Sequence, residues 1–244
     1  MRREAQSDAF IERAVHLPRL TLQIGRAGYM SARERILALI RERQGKAAEP
    51  SADELEAVRS HLAAHARNAA PRDEWDPLTR FRERALSLAS TIGEAGPEEV
   101  PARVAAYLHE QALPLRVVCW KEFNELDWAG AGIEADVRPA CGDDLVGVTG
   151  AFCGIAETGT LMTLSGAHTP PSVSLLPETH IAVMRRSRIV RSMEDAWTLL
   201  RNEGARMPRA VSFISGPSRT ADIEQTVTLG AHGPYRVHII LTES

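Results

Sequence analysis

FISGPSRTADIE, Phe213 to Glu224, reads as the end of a strand, a glycine turn and the start of a helix. The apolar run Ala210 to Ile214 supplies the strand, and Ser215, Gly216 and Pro217 supply the turn. α/β proteins place ligands at such junctions, at the carboxyl ends of their strands. Gly216 lets the backbone turn tightly, or into the left-handed region, without a Cβ clash. Ser218 or Thr220 can cap the helix, and the first free N–H groups then face a cleft. Arg219 adds a planar fork of donors beside them, a combination suited to a phosphate or a carboxylate. Asp222 and Glu224 fall in the first helical turn, where they complement the helix dipole by ~0.3–1 kcal/mol each. The same carboxylates repel an anion, so a hydroxyl-rich or metal-bridged ligand uses them better than a bare phosphate. A plain capped strand-to-helix connection is the alternative reading.

Upstream, Leu145 to Leu164 is a second dense stretch of small and β-branched residues. It reads as two strands around a break at Glu157, Thr158 and Gly159. A carboxylate between buried strands costs free energy unless it has partners. Glu157 is therefore a candidate general base or nucleophile, or an acceptor for ligand hydroxyls. A surface hairpin turn with a solvated Glu157 is the bland alternative. We expect the Glu157 to Thr160 turn and the Gly216 to Thr220 loop to face one cleft. His180, at the start of the strand Ile181 to Met184, either reaches that cleft or caps backbone groups. In LGAHGP, Leu229 to Pro234, two glycines bracket His232, so the backbone turns tightly there. His232 is a candidate acid or base near neutral pH, against the commoner outcome of an exposed loop histidine.

The remaining pattern divides the chain in three. Residues 1–29 mix arginines with scattered apolar residues, and Met30 immediately before a helix cap reads as the natural start. Residues 30–112 read as mostly helical. Ser31 with Glu34 and Ser51 with Glu54 form capping boxes, and Asp76–Pro77 opens another helix. Phe81, Ala85, Leu88 and Ile92 continue at helical spacing, and a further helix is expected from about Glu99 to Gln111. His61 and His65 share the i,i+4 spacing of metal ligands, but no third ligand is evident, and no metal site is expected. From residue 113 onward strands alternate with helices. Leu115 to Trp120 is a short apolar run, as in a strand covered on both faces. Lys121 to Asp127 follows as a polar loop. Ser192 with Asp195 opens a helix that Pro208 ends, and Val237 to Thr242 closes the chain as a strand.

Composition removes several functions. The chain has 244 residues, 44% of them hydrophobic, enough to bury about 70–75% of its unfolded surface without disulfides or a metal. The net charge of -3 and pI near 6.3 argue against nucleic acid or an anionic membrane as partner. Cys119, Cys141 and Cys153 are widely spaced with no CxxC, so no iron–sulfur cluster or structural zinc is expected in this chain. No apolar run approaches the ~20 residues of a membrane span, and no signal peptide is visible, so a cytoplasmic location is the default.

GIAETGTLMTLSG, SLLPETHIAVM and above all FISGPSRTADIE followed by LGAHGP resemble the lactate-utilisation protein C family, the LUD domain. The resemblance covers roughly Ser31 to Glu243 and is strongest from Val148 onward. It implies an α/β fold with a doubly wound, mainly parallel sheet like those of the sugar-phosphate isomerases and CoA-transferases, carrying an N-terminal helical extension. It also implies a subunit of a system that oxidises L-lactate to pyruvate, without a cluster of its own. The partners would be iron–sulfur oxidoreductase subunits and a small anionic ligand. CoA-transferase analogy would make Glu157 the active carboxylate. A stand-alone enzyme on a sugar phosphate or acyl-CoA is the alternative.

Overall fold

In a computed structural model, residues 31–47, 49–66, 74–204, 207–220, 228–229 and 232–243 are described. Residues 1–30, with the expected start at Met30, and Asp222 and Glu224 lie outside them. The chain divides into two compact units, Met1–Asn68 and Ala69–Ser244.

The first unit contains α1 (Ala32–Arg43) and α2 (Ala52–Ala64). Both begin at the expected boxes. Glu34 N–H donates to Ser31 Oγ at 3.2 Å while Glu34 Oε2 accepts from Ser31 N–H at 2.6 Å. Ser51 and Glu54 repeat the arrangement at 3.2 and 3.0 Å. His65 terminates α2 in the left-handed region at φ 43°.

The second unit is built on a six-stranded parallel sheet. Its strands are β1 (Thr91–Ala95), β2 (Arg116–Cys119), β3 (Glu134–Val137), β4 (Val146–Gly150), β7 (Thr179–Arg185) and β12 (Arg236–Thr242), in the order β1-β12-β7-β4-β2-β3. Every pairing is parallel, for instance Thr91 with His238 and Val148 with Ile181. The central strands β2, β4, β7 and β12 are covered on both faces, which is why they read as largely apolar runs. Along β12 the faces alternate. Ile240 packs with Val104 and Leu108 of α4 (Val100–Glu110), whereas Val237, Ile239 and Leu241 pack with Phe81 and Ala85 of α3 (Pro77–Ser87).

α3 starts where Asp76 and Pro77 predict, with Thr79 N–H donating to Asp76 Oδ2 at 2.8 Å. It does not continue to Ile92. The chain leaves the helix through Ala89 at φ 64°, and Ile92 lies in β1, the sheet's edge strand. The helical spacing from Phe81 to Ile92 is a coincidence of phase that long-range pairing with β12 overrides.

Leu145 to Leu164 forms three strands where two were expected. After β4 the chain breaks at Ala151–Phe152 and enters a second sheet of β5 (Cys153–Ile155), β6 (Thr160–Leu164), β8 (Ile189–Val190) and β9 (Val211–Ile214), ordered β8-β5-β6-β9. Within this excursion, the short α5 (Ser172–Leu175) precedes β7. α6 (Met193–Glu203) covers the second sheet, with Ala196 and Leu200 packing on Cys153, Ile155 and Met162. It starts in the Ser192–Asp195 box and ends at Gly204, before Pro208.

Two corrections concern the segment that opened the sequence reading. The strand before Gly216 belongs to the second sheet, where β9 runs antiparallel to β6. A helix capped by Thr220 would fall on residues 221–227, outside those described, but the expected helix does not begin at Ser218. Instead β10 (Arg219–Thr220) pairs antiparallel with β11 (Thr228–Leu229). The backbone of Arg219 and Thr220, used in that ladder, cannot also form the first turn of a helix begun at Ser218.

Candidate functional site

The β5–β6 turn carries the first motif. Gly159 closes it, donating to Ile155 O at 2.9 Å with φ +66°. A Cβ at Gly159 would come within 2.5 Å of Ala85 N, so the turn lies directly on α3. Glu157 is half-buried, and neither expectation for it holds in full. It sits in a hairpin turn, yet it is not merely solvated. Its N–H donates to Arg191 O at 3.0 Å, and its Oε1 accepts from Met193 N–H at 2.8 Å. Met193 is the first residue of α6, so the carboxylate satisfies an orphan donor and complements the positive end of that helix.

The second motif adjoins the first. The hydroxyls of Thr160 and Ser215 are hydrogen-bonded at 2.7 Å, and Thr160 Oγ1 donates to Thr158 Oγ1 at 2.8 Å. Gly216 has φ +83°, and a Cβ there would overlap the carbonyl of Leu88. Arg219 is exposed, and its Nη2 donates to the same Leu88 carbonyl at 3.2 Å, where a cation complements the negative end of α3. Ser218 N–H donates to Pro234 O at 2.9 Å, which brings in the His232–Pro234 turn. His232 is exposed. Thr158, Gly159, Thr160, Ser215, Gly216, Ser218 and Arg219 are thus assembled at one place. That place is the amino edge of the parallel sheet, since Leu88 leads into β1 and Pro234 into β12.

His180 lies inside the sheet. It is fully buried, its Nε2 is 2.7 Å from Thr149 Oγ1, and its Nδ1 has no partner among the described residues. Burial pushes its pKa down to about 4, so the ring is neutral at pH 7. It neither caps backbone groups nor reaches solvent.

The opposite edge holds residues that the sequence reading passed over. A cleft of about 790 Å³ opens at the carboxyl ends of the strands, lined by Glu122, Phe123, Gly150, Phe152, Arg185 and Arg188 among others. Glu122 follows β2 in the one-turn 3-10 helix Lys121–Phe123. Its carboxylate lies over Gly150, at the end of β4, where any Cβ would overlap Glu122 Oε1. Protein surrounds the Glu122 carboxyl on several sides although the groove stays open to solvent. This desolvation raises its pKa, opposed by the Gly150 N–H and the charge of Arg185. Arg188 is anchored, holding Glu203 at 2.5 and 2.9 Å and donating to Phe152 O at 2.8 Å. The polar composition of Lys121 to Asp127 concealed Glu122. The signal that could have found it is its position just after a buried parallel strand.

Among the described residues no group of three or more His, Cys, Asp or Glu side chains is placed to hold a metal ion. No helix among them is long and apolar enough to cross a membrane.

A parallel sheet wound on both faces, with a second sheet inserted after β4, defines an α/β domain. The LUD domain model matches residues 30–242, and the chain belongs to that family. A stretch of 119 residues is 37% identical to "Lactate utilization protein C 1" of Bacillus mycoides, covering 48% of this chain and 50% of that protein. Another of 101 residues is 42% identical to "Lactate utilization protein C" of Halalkalibacterium halodurans, covering 40% and 44%. The chain therefore spans about half or less of the length of these curated relatives. A crystal structure of a DUF162 family protein from Deinococcus radiodurans superposes with a TM-score of 0.52 at 22% identity, over 68% of this chain and 96% of that one, and shares the fold.

Proposed function

We propose that this chain is a component of an L-lactate utilisation system that oxidises L-lactate to pyruvate. In this reading it carries no iron–sulfur cluster and works beside iron–sulfur oxidoreductase subunits. The observation that carries the proposal is membership of the LUD family over residues 30–242, with relatives named for lactate utilisation. The assembled motif turns support a ligand-binding or accessory role. Arg219 has five N–H donors, and one goes to Leu88, so its exposed fork keeps capacity for a small carboxylate or phosphate. The bond from Met193 to Glu157 favours this reading over a stand-alone enzyme with Glu157 as base or nucleophile, because that carboxylate already has a structural partner.

The test is growth on L-lactate as sole carbon source after deletion of the gene. Complementation uses the full chain and its Arg219→Ala and Glu157→Gln forms at matched expression. The proposal expects deletion to abolish growth, the full chain to restore it and Arg219→Ala to fail. Growth of the deletion strain without a second copy of the gene would overturn it.

A further inference from the structure

In the parallel sheet, β2 is followed outward by β3, whereas its neighbour β4 leads the chain the other way, to β7. Adjacent strands whose connections diverge leave a crevice at their carboxyl ends, and open α/β sheets bind ligands in it. Here the crevice lies between Cys119 and Gly150, and Glu122 is the carboxylate that hangs over it.

Four observations give the crevice a chemical character. First, Gly150 is a cradle. Its missing side chain leaves the space that the Glu122 carboxylate occupies, with Glu122 Oε1 overlapping the place where a Cβ would stand. Second, the cleft contains an uncommitted cation. Arg188 is held by Glu203, and Arg186 beside the cleft is bonded to Glu94 and lies 3.8 Å from Glu243. The Arg185 side chain, at the end of β7, makes no close ion pair or hydrogen bond among the described residues, acts on Glu122 only through its charge, and lines the same cleft. Third, the lining is mixed: Val100, Phe123, Leu126, Phe152 and Val183 give apolar walls beside the carboxylates of Glu203 and Glu243. Fourth, the volume of about 790 Å³ falls within the ~300–1,000 Å³ usual for organic ligands.

We propose that this cleft is a second ligand site, separate from the motif turns, and that it takes a hydroxycarboxylate with an apolar body. Arg185 holds the carboxylate as a bidentate pair. Glu122, fixed over Gly150, accepts the hydrogen bond of the hydroxyl. The apolar part lies against Phe123, Leu126 and Phe152. Arginine matches a carboxylate in two parallel bonds, and a site built to bond a hydroxyl discriminates against ligands that lack it.

The experiment is isothermal titration of the full chain with mandelate, which carries a carboxylate, a hydroxyl and a ring. Phenylacetate, which lacks the hydroxyl, serves as the paired probe. Variants are Arg185→Gln, Glu122→Ala and, as a control at an exposed arginine outside both sites, Arg209→Ala. Both cleft side chains are exposed, and thermal melts confirm that each variant is folded. The proposal expects saturable mandelate binding, at least about tenfold weaker in Arg185→Gln, the loss typical of a charge-assisted bidentate contact. Mandelate should bind more tightly than phenylacetate, and Glu122→Ala should erase that difference without weakening phenylacetate. Arg209→Ala should bind mandelate as the parent does. No saturable binding by the parent chain, or an unchanged affinity in Arg185→Gln, overturns the proposal. Because binding is measured directly, a negative lactate-growth result leaves this outcome untouched, and the reverse also holds.

Discussion

His238→Phe should remove about half of the stability that this protein loses between neutral and mildly acidic pH through its buried histidines. His238 is 2% exposed, stacked on Tyr107 at 4.0 Å between centroids, with Nδ1 2.7 Å from Thr91 Oγ1 and Nε2 unpartnered among the described residues. Burial first, and the charge of Arg103 second, push its pKa from 6.5 down to about 4. The folded protein therefore refuses a proton that the unfolded chain accepts. Below pH 6.5 the unfolded state gains protons and stability falls, until the folded ring also titrates near pH 4. Each such histidine contributes a slope of about 1.4 kcal/mol per pH unit, or about 3 kcal/mol across the window. His180, displaced to about 4 by burial, contributes in the same direction over the same range. Phenylalanine keeps the stack on Tyr107 and cannot titrate. The assay is urea unfolding followed by the fluorescence of Trp120 and Trp128, both buried, at a series of pH values across the window. His238→Phe can be less stable at neutral pH, but its curve of stability against pH should be shallower by about one proton. Glu122, whose pKa is raised, acts in the opposite direction in both proteins and cancels in the comparison. Parallel curves for parent and variant would refute the reasoning.

Other perturbations follow from the same geometry. Gly159→Ala places a Cβ within 2.5 Å of Ala85 N at φ +66° and should cost about 2 kcal/mol or more, seen as a fall in Tm of roughly 4–8 °C; an unchanged Tm would mean that the turn does not rest on α3. Glu157→Ala removes an acceptor from the start of α6 and should cost about 1 kcal/mol, whereas Glu157→Gln keeps the acceptor and should cost only a few tenths. Equal losses in the two variants, measured by chemical denaturation, would show that the charge matters more than the bond. Of three cysteines, Cys141 is exposed, while Cys119 and Cys153 are buried with thiols pushed up to about 11. A thiol reagent such as dithiobis(nitrobenzoate) should therefore label one cysteine quickly in the native protein, and fast labelling of more than one would contradict the burial.

Local chemistry was legible in the sequence wherever a few neighbouring residues decide the outcome. Ser31 with Glu34, Ser51 with Glu54, and Ser192 with Asp195 start helices because each pair satisfies orphan donors within one turn, and Asp76 with Pro77 because Asp76 accepts from Thr79 N–H while proline has no N–H to leave unpaired. Ile181 to Met184 and Val237 to Thr242 read as strands because both faces are covered. Sheet membership was not legible. Ala210 to Ile214 has the same apolar pattern whether it joins the parallel sheet or the antiparallel one, and its partner β6 lies far upstream. Ile92 held the helical phase of α3 until pairing with β12 decided otherwise. The sequence reading expected the Glu157 to Thr160 turn and the Gly216 loop to face one cleft; Thr160 and Ser215 bring them side by side, at the amino edge that the reading did not foresee. Glu122 acquires meaning only when β2 and β4 are known to be neighbours whose connections diverge, a property of topology rather than of composition.

The place of β12 bears on how the chain is made. It lies between β1 and β7, so the second position of the sheet is filled by residues 236–242, synthesised after the sheet's other five strands. Until then β1 has no partner, and β7 presents a row of unpaired backbone groups on one side. Such an edge is a template for pairing with another chain. Contacts of high sequence separation also form slowly. A nascent chain therefore waits with an open slot that its own last strand must fill. Crowding of partly made chains, slow elongation late in the message or a short truncation should all show first as aggregation during synthesis rather than as a lowered melting temperature.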